Sequence, residues 1–337
     1  MTLQGVGKTE SSRKLLILVA AFFAVYVFWG STYLAIKYAM ETLPPFLMAG
    51  SRFLFAGSIL FLWARFSKDY ETPTMAHWRT SFIVGTLLLL GGNGGVVLAQ
   101  HYIPSSLAAL LVATEPLWIV ILSWLWLSGN RPNWKVVLGL LVGFAGVWLL
   151  IAGRASGGAG ADGAGQWIGI IAVIIGAMSW ATGSIYGLRG TTPKSPLLAA
   201  GMQMLSGSFS LLIVGLIRNE WATFDPAAVS NNSLFGLAYL IVFGSLVGFT
   251  AYSWLLKNAR PSMVATYAYV NPVIAVLLGW LIAGEAMTGQ MLVGAGVVVG
   301  SVVLITSQNT AEPEREKEKI HESVGPTGND KALTASA

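Results

Sequence analysis

Apolar residues along this chain gather into long unbroken runs. They do not follow the three-to-four-residue period of a half-buried soluble helix or the alternation of a half-buried strand. Ten such runs can be read, at residues 15–37, 45–66, 81–99, 105–126, 136–152, 167–188, 196–217, 234–256, 262–283 and 290–306. Charged residues are largely confined to the connections between them. A helix rises about 1.5 Å per residue, so about 30 Å of hydrocarbon is crossed by roughly 20 apolar residues. A helix also satisfies its own backbone groups, as the bilayer interior demands. The pattern therefore predicts an all-α integral membrane protein with ten transmembrane helices. Arg13 and Lys14 precede the first run as they would in a signal peptide, but the run is too long for one and lacks a suitably placed cleavage site, so it reads as the first span.

Composition narrows the picture. Charged residues make up 10% of the 337 positions and hydrophobic ones 55%, with a mean hydropathy of +0.67. A soluble domain typically has about 25% charged residues. The absence of cysteine excludes disulfides, thiolate metal sites and cysteine nucleophiles. The 39 glycines fit membrane helices, whose backbones approach closely through small residues. Such faces also support association, so a homodimer is a candidate assembly. The net charge of +5 does not point to nucleic acid, because basic residues sit singly or in pairs with no aromatic-interleaved basic stripe.

Lysines and arginines orient the chain. With a cytoplasmic N-terminus, 16 of the 20 fall in cytoplasmic segments; Arg154 and Arg218 fall in external loops, and Lys37 and Arg52 in spans. Both termini are then cytoplasmic, in a multi-pass protein of an inner or plasma membrane. Residues 1–14 form a cytoplasmic N-terminal segment. Residues 153–166 read as an external Gly-rich linker, and 307–337 as a disordered cytoplasmic tail of mixed charge.

The chain repeats itself. Trp29, Pro45, Gly50 and Arg52 stand 151 residues before Trp180, Pro196, Gly201 and Gln203. Ser106, Ala109, Pro116 and Trp124 stand 156 before Ser262, Ala265, Pro272 and Trp280. Each half, 15–152 and 167–306, thus holds five spans. Five is odd, so the second half enters the membrane from the opposite side, which makes two inverted five-helix repeats, a plan common in secondary transporters.

Phe28-Trp29-Gly30-Ser31-Thr32-Tyr33, Pro44-Pro45 and Ala49-Gly50-Ser51-Arg52-Phe53 in the first half resemble the EamA type of the drug/metabolite transporter superfamily. So do Tyr267-Ala268-Tyr269-Val270-Asn271-Pro272-Val273 and Gly284-Glu285 in the second. The resemblance spans roughly residues 15–306. It implies a ten-helix transporter with cytoplasmic termini that exports amino acids, other metabolites or drugs. Glu285 has no acidic counterpart in the first half, where Ser128-Gly129-Asn130 stands.

Polar residues within the spans are the candidate site, because ionisable groups in hydrocarbon are costly and usually face a cavity or a partner. Glu115 lies near mid-depth of the fourth span. Pro116 follows it and predicts a kink with a freed carbonyl at Val112. Asn271-Pro272 is the matching pair in the ninth span, with Ala268 in the corresponding place. Matched broken helices at mid-depth are where inverted-repeat transporters bind substrate. Arg52 and Gln203 form a second matched pair, about 10 Å into their spans. One half thus carries Arg52 and Glu115 where the other carries two amides. Arg52 and Glu115 are expected to neutralise each other in at least one state; an unpaired Glu115 would be a carrier for a coupling proton. Asn93, amid Gly91, Gly92, Gly94 and Gly95, marks a pore-lining hinge or a tight packing point. Trp180, Tyr267 and Tyr269, together with Tyr33, Tyr186 and Tyr252, are candidate cavity walls for organic cargo. Lys37 is expected to snorkel to the interface.

The leading expectation is a secondary transporter for small organic metabolites, working by alternating access around a mid-depth site. Nothing in the sequence calls for a cofactor, a metal or an ATP-binding loop. A membrane enzyme would need a convergent catalytic set, and His77, His101 and His321 are scattered over a loop, an interface and the tail. A channel or receptor built on the same helical cavity remains the other class.

Overall fold

The computed structural model describes residues 4–128, 134–155, 163–259, 264 and 266–304. Helices dominate and no strand occurs among them. In chain order they are α1 (Gln4–Ala39), α2 (Pro45–Arg65), α3 (Met75–Ala99), α4 (Ser105–Trp126), α5 (Trp134–Ala155), α6 (Gly163–Arg189) and α7 (Pro196–Ile217). Next come α8, which runs through Asn231–Tyr239, Leu240–Val247 and Gly248–Asn258, then α9 (Tyr267–Leu281) and α10 (Gly289–Leu304). Among the described residues, 7 helices (α1–α4 and α6–α8) are long and apolar enough to cross a membrane; α5, α9 and α10 carry shorter apolar stretches. The stretch 153–166 is helical at both edges, since α5 runs to Ala155 and α6 starts at Gly163. The expected tail at 307–337 lies outside the described residues.

Local signals start several helices. Pro45 and Pro196 occupy the first turns of α2 and α7, where a missing N–H costs nothing. Thr74 and His77 exchange bonds in a capping box at the start of α3, and this accounts for His77. Acidic side chains in the connections do related work. Glu220 accepts from the Leu47 N–H in the first turn of α2 at 2.9 Å, and Glu71 accepts from the Lys194 N–H just before α7 at 2.6 Å.

The tightest crossing joins α2 and α7. A Cβ on Gly57 would lie 3.2 Å from the Gly201 carbonyl oxygen, and one on Gly201 would lie 3.2 Å from that of Gly57 and 2.8 Å from the Phe61 nitrogen. Nearer the start of α2, the Ser208 hydroxyl donates to the Gly50 carbonyl at 2.8 Å. Position rises along α2 as it falls along α7, so the two run antiparallel. At the 151-residue offset Gly50 matches Gly201 and Gly57 matches Ser208, so each contact is the counterpart of the other. The same logic brings α3 against α7, where a Cβ on Gly207 would come 2.6 Å from the Gly85 carbonyl oxygen.

Two eight-residue π segments, Thr86–Asn93 in α3 and Leu240–Val247 in α8, stand 154 residues apart and so occupy matching places in the two halves. The glycines at 91–95 widen α3 without breaking it and pack it against α6: a Cβ on Gly95 would lie 2.7 Å from the Ala172 carbonyl oxygen. π segments often mark functional sites. α4 does break, into Ser105–Val112 and Glu115–Ser123, with Ala113 and Thr114 forming the turn ahead of Pro116. In α9 Pro272 stays inside the helix, which begins five residues earlier at Tyr267.

Burial divides the bundle by depth. We call the end where α1 starts proximal and the end where it finishes distal. The two largest buried clusters lie mainly in the distal half, one around Ile36, Ala39, Phe46 and Leu240, the other around Ala99, Ile103, Leu107 and Met291. The proximal half holds three small separate clusters, each with three buried members among the described residues, around Leu117, Leu255 and Leu198.

Gly57→Leu or Gly201→Leu should force α2 and α7 apart. Overpacking of this kind costs about 1–3 kcal/mol, so both variants should melt at lower temperature in detergent than the parent. Gly296→Ala, where nothing lies within 4 Å of the added Cβ, should not lower it.

Candidate functional site

One cavity of about 120 Å³ lies at mid-depth and is lined by α1, α2, α3, α4, α6, α8 and α9. Of the residues singled out in the sequence, Glu115, Asn271, Arg52, Asn93, Trp180, Tyr267 and Pro272 line it. Gln203 does not. Its carbonyl oxygen lies 2.2 Å from where a Cβ on Gly85 would stand, so that face of α7 packs on α3. Pro116 is not among the lining residues either, though Ala113, in the turn ahead of it, is. Tyr33 lines the cavity as expected, Tyr186 and Tyr252 are not among the lining residues, and the side chain of Tyr269 lies outside the described residues.

Glu115 opens the second segment of α4, directly after the turn, and is 9% exposed. It makes no ion pair among the described residues. Tyr33 and Tyr267 line the same cavity. The Oδ1 of Asn93 is buried and has no hydrogen-bond partner. Arg52 is committed elsewhere: its Nε donates to the Ser245 hydroxyl at 2.9 Å and its guanidinium lies over the Phe53 ring at 4.7 Å. The guanidinium fits because residue 244 is glycine, where a Cβ would lie 3.0 Å from Arg52 Nη2. Arg52 and Glu115 thus face one cavity without forming an ion pair in this state. The Asn271 amide, oriented to suit its neighbours, donates to the carbonyls of Tyr26 at 3.2 Å and Tyr267 at 3.3 Å.

Aromatic rings form much of the wall, with Tyr252 packed behind Trp29 and Tyr267. Trp29 lies 5.2 Å from Tyr267 with the ring planes at 88°, and 5.1 Å from Tyr252. Tyr252 and Tyr267 meet at 5.8 Å and 89°. Trp29 also donates to the Gly244 carbonyl at 3.1 Å. It was legible beforehand only as a repeat marker. Its match to Trp180 is the signal that could have found it, and in the structure each tryptophan rests on a glycine of the neighbouring widened helix: Trp180 on Gly92, Trp29 on Gly248. Phe249 and Ser245 carried no such signal.

Glu285 lies outside the cavity. It is held by the Ser105 N–H at 3.1 Å, the Ser105 hydroxyl at 2.7 Å, the Ser106 N–H at 3.0 Å and Lys37 Nζ at 3.2 Å. Lys37 therefore does not simply snorkel; a buried carboxylate stands within its reach. Burial alone would raise the Glu285 carboxyl, but hydrogen bonds from Ser106 and Ser105, with Lys37 behind them, hold it at about 2. Glu220 is pushed up by burial, which outweighs the Leu47 N–H and nearby Arg218. No group of three or more potential metal ligands occurs among the described residues.

A membrane-spanning helical bundle whose mid-depth cavity is built from matching parts of two halves is the architecture of a transporter. The chain belongs to the EamA-like transporter family of the drug/metabolite transporter superfamily; the family matches residues 15–152 and 167–307. It is 38% identical over 296 residues to the uncharacterised inner membrane transporter YedA of Escherichia coli (strain K12), covering 87% of this chain and 92% of that one. It is 28% identical to the uncharacterised transporter YvbV of Bacillus subtilis (strain 168), over 90% of this chain and 94% of that one. It is 26% identical to Protein PecM of Dickeya dadantii (strain 3937), over 85% and 90%. A protein of known crystal structure shares the fold at a TM-score of 0.59 and 22% identity, covering 88% of this chain and 97% of that one.

Two expectations follow. A buried acceptor without a partner costs about 1–3 kcal/mol, so Asn93→Leu should raise the melting temperature while abolishing ligand-induced stabilisation and flux. For Glu285, the ordinary carboxyl value is about 4.3 and the folded one is lower. Its stabilising contribution is therefore full above the ordinary value and is lost as pH falls toward about 2. The melting difference between parent and Glu285→Gln should stay constant from pH 8 to about pH 5 and shrink only in stronger acid.

Proposed function

We propose that this protein is a secondary carrier of an inner or plasma membrane. It has ten transmembrane helices in two inverted five-helix repeats, 15–152 and 167–306, and exports small organic metabolites, amino acids or drug-like compounds, by alternating access. The observation that carries this reading is a mid-depth cavity assembled from matching positions of both halves, with a carboxylate and an amide oxygen left unpartnered inside it. Groups left bare in a low-dielectric site await a ligand, because burying them unpaired is costly.

The antiparallel α2–α7 crossing and the matched π segments support inversion of the halves. Charge asymmetry supports cytoplasmic termini, which makes the distal end external. The name of YedA supports an inner membrane. The dense distal packing supports a cavity that faces the cytoplasm. A cargo for this cavity presents an amine or other donor to Glu115 and Asn93 and an apolar or aromatic body to Trp29, Trp180 and Tyr267. A carboxylate on the same cargo would meet the free face of Arg52. Energy comes from gradients of the cargo or of protons, with Glu115 the proton site.

The test is counterflow in proteoliposomes, with a labelled amino-acid mixture outside and an equal unlabelled mixture inside. Saturable, trans-accelerated uptake is expected, with a loss of at least about tenfold in Glu115→Gln. Unsaturable flux would indicate a channel. No flux beside an active control carrier would remove amino acids as cargo.

A further inference from the structure

Glu285 does more than end a loop. Gly284 adopts φ +64°, a left-handed conformation that glycine accepts freely, and turns the chain back so that the Glu285 N–H donates to the Gly279 carbonyl at 3.0 Å. Gly279 in turn leaves room for the carboxylate, since a Cβ there would stand 2.8 Å from its Oε2. The carboxylate therefore reaches across to α4 and α1. Oε1 takes the Ser105 N–H and hydroxyl and the Lys37 ammonium; Oε2 takes the Ser106 N–H. Anions at a helix start are favoured by its free N–H groups and dipole.

This single side chain thus ties together the distal ends of α1, α4 and α9. At mid-depth the same three helices present Tyr33, Glu115 and Asn271 to the cavity. Among the described residues no buried carboxylate ties the proximal ends of the matching helices together. At the 151-residue offset Lys37 matches Leu188, next to Arg189, whose guanidinium makes one exposed bond to the Trp126 carbonyl at 2.7 Å. At the 156-residue offset Glu285 matches Gly129, so no acid stands there to cap the start of the ninth span.

We propose that Glu285 is the latch of the distal gate: its bonds to Ser105, Ser106 and Lys37 hold α1, α4 and α9 together at that end and bias the empty carrier toward the state open at the other. This rests on the alternating-access reading. Glu285 acts as a positioning residue and does not touch cargo. Opening the distal end requires its charge to leave four donors at once, whereas the proximal bonds among the described residues are neutral or exposed: Tyr26 with Thr266, the Lys194 N–H to Glu71 and Arg189 to the Trp126 carbonyl.

The chain has no cysteine, so single reporters can be introduced without background. Val96→Cys reports the distal side of the cavity and Ala268→Cys the proximal side; both positions line it. Each reporter is labelled with a membrane-impermeant maleimide, from the distal side in vesicles of one orientation and from the proximal side in inverted ones. Adding Glu285→Gln should raise distal labelling of Val96→Cys about tenfold, the equilibrium shift of about 1.4 kcal/mol that losing a charged hydrogen bond produces. Proximal labelling of Ala268→Cys should stay level or fall. Lys37→Met, which leaves the helix cap intact, should act in the same direction with smaller amplitude, and it carries the test if Glu285→Gln does not fold. Unchanged distal labelling, or a rise at both reporters as in general loosening, overturns the proposal. The readout needs no cargo. Counterflow by the parent with unchanged labelling would sink the latch and spare the transport reading; shifted labelling without flux of any probe would do the reverse.

Discussion

Inside a bilayer, lipid tails are as apolar as leucine, so helices gain little by burying apolar side chains against one another. They are held by close packing and by the few polar bonds they can make. The α2–α7 crossing meets that requirement at Gly57 and Gly201, where the backbones touch and no side chain fits between. Much else follows from this contact. It sets α2 and α7 antiparallel, and around it α3 packs on α7 through Gly85 and Gly207 and α8 lies beside α2, where Arg52 reaches Ser245. A bulky residue at the crossing would therefore disturb the cavity as well as the bundle.

Against that background the acids sort by position. Glu71, Glu220 and Glu285 stand at helix ends and accept backbone N–H groups, so each completes a turn that would otherwise be short of acceptors. Glu115 also begins a helical segment, but it faces the cavity and has no ion-pair partner among the described residues. The same contrast separates the amides. Asn271 spends its donors on two carbonyls of the surrounding helices, while Asn93 keeps a buried acceptor bare. The acids near helix ends and the Asn271 amide are satisfied internally, whereas Glu115 makes no ion pair among the described residues and the Asn93 Oδ1 has no hydrogen-bond partner.

The halves match closely at the crossing and in the widened segments of α3 and α8, and depart from one another where the cavity meets its ends. Arg52 lines the cavity and Gln203 does not. The turn in α4 falls at Ala113 and Thr114, whereas α9 keeps Pro272 in an unbroken helix from Tyr267 onward. The distal end has an ionic tie and the matching proximal position a glycine. Departures of this kind let one scaffold prefer one facing, since two identical halves would have no reason to.

The sequence by itself determined the membrane class, the division into two family-matching halves, the seven long spans and most of the polar residues of the cavity. Each of these follows from local rules: run length against bilayer thickness, the cost of a charge in hydrocarbon, the effect of proline on its own helix, and residue identity at a steady offset. Those rules placed Glu115, Asn93, Arg52, Asn271, Trp180 and Tyr267 at the right depth. Only the tertiary structure decided which way each side chain faces. Depth along a helix is set by residue number, but rotation about its axis is set by which neighbour packs closest. That is why Gln203, matched to Arg52 in number, belongs to a helix face packed on Gly85. It is also why Trp29 became a cavity wall, and why Lys37 and Glu285, 248 residues apart, meet at one helix start.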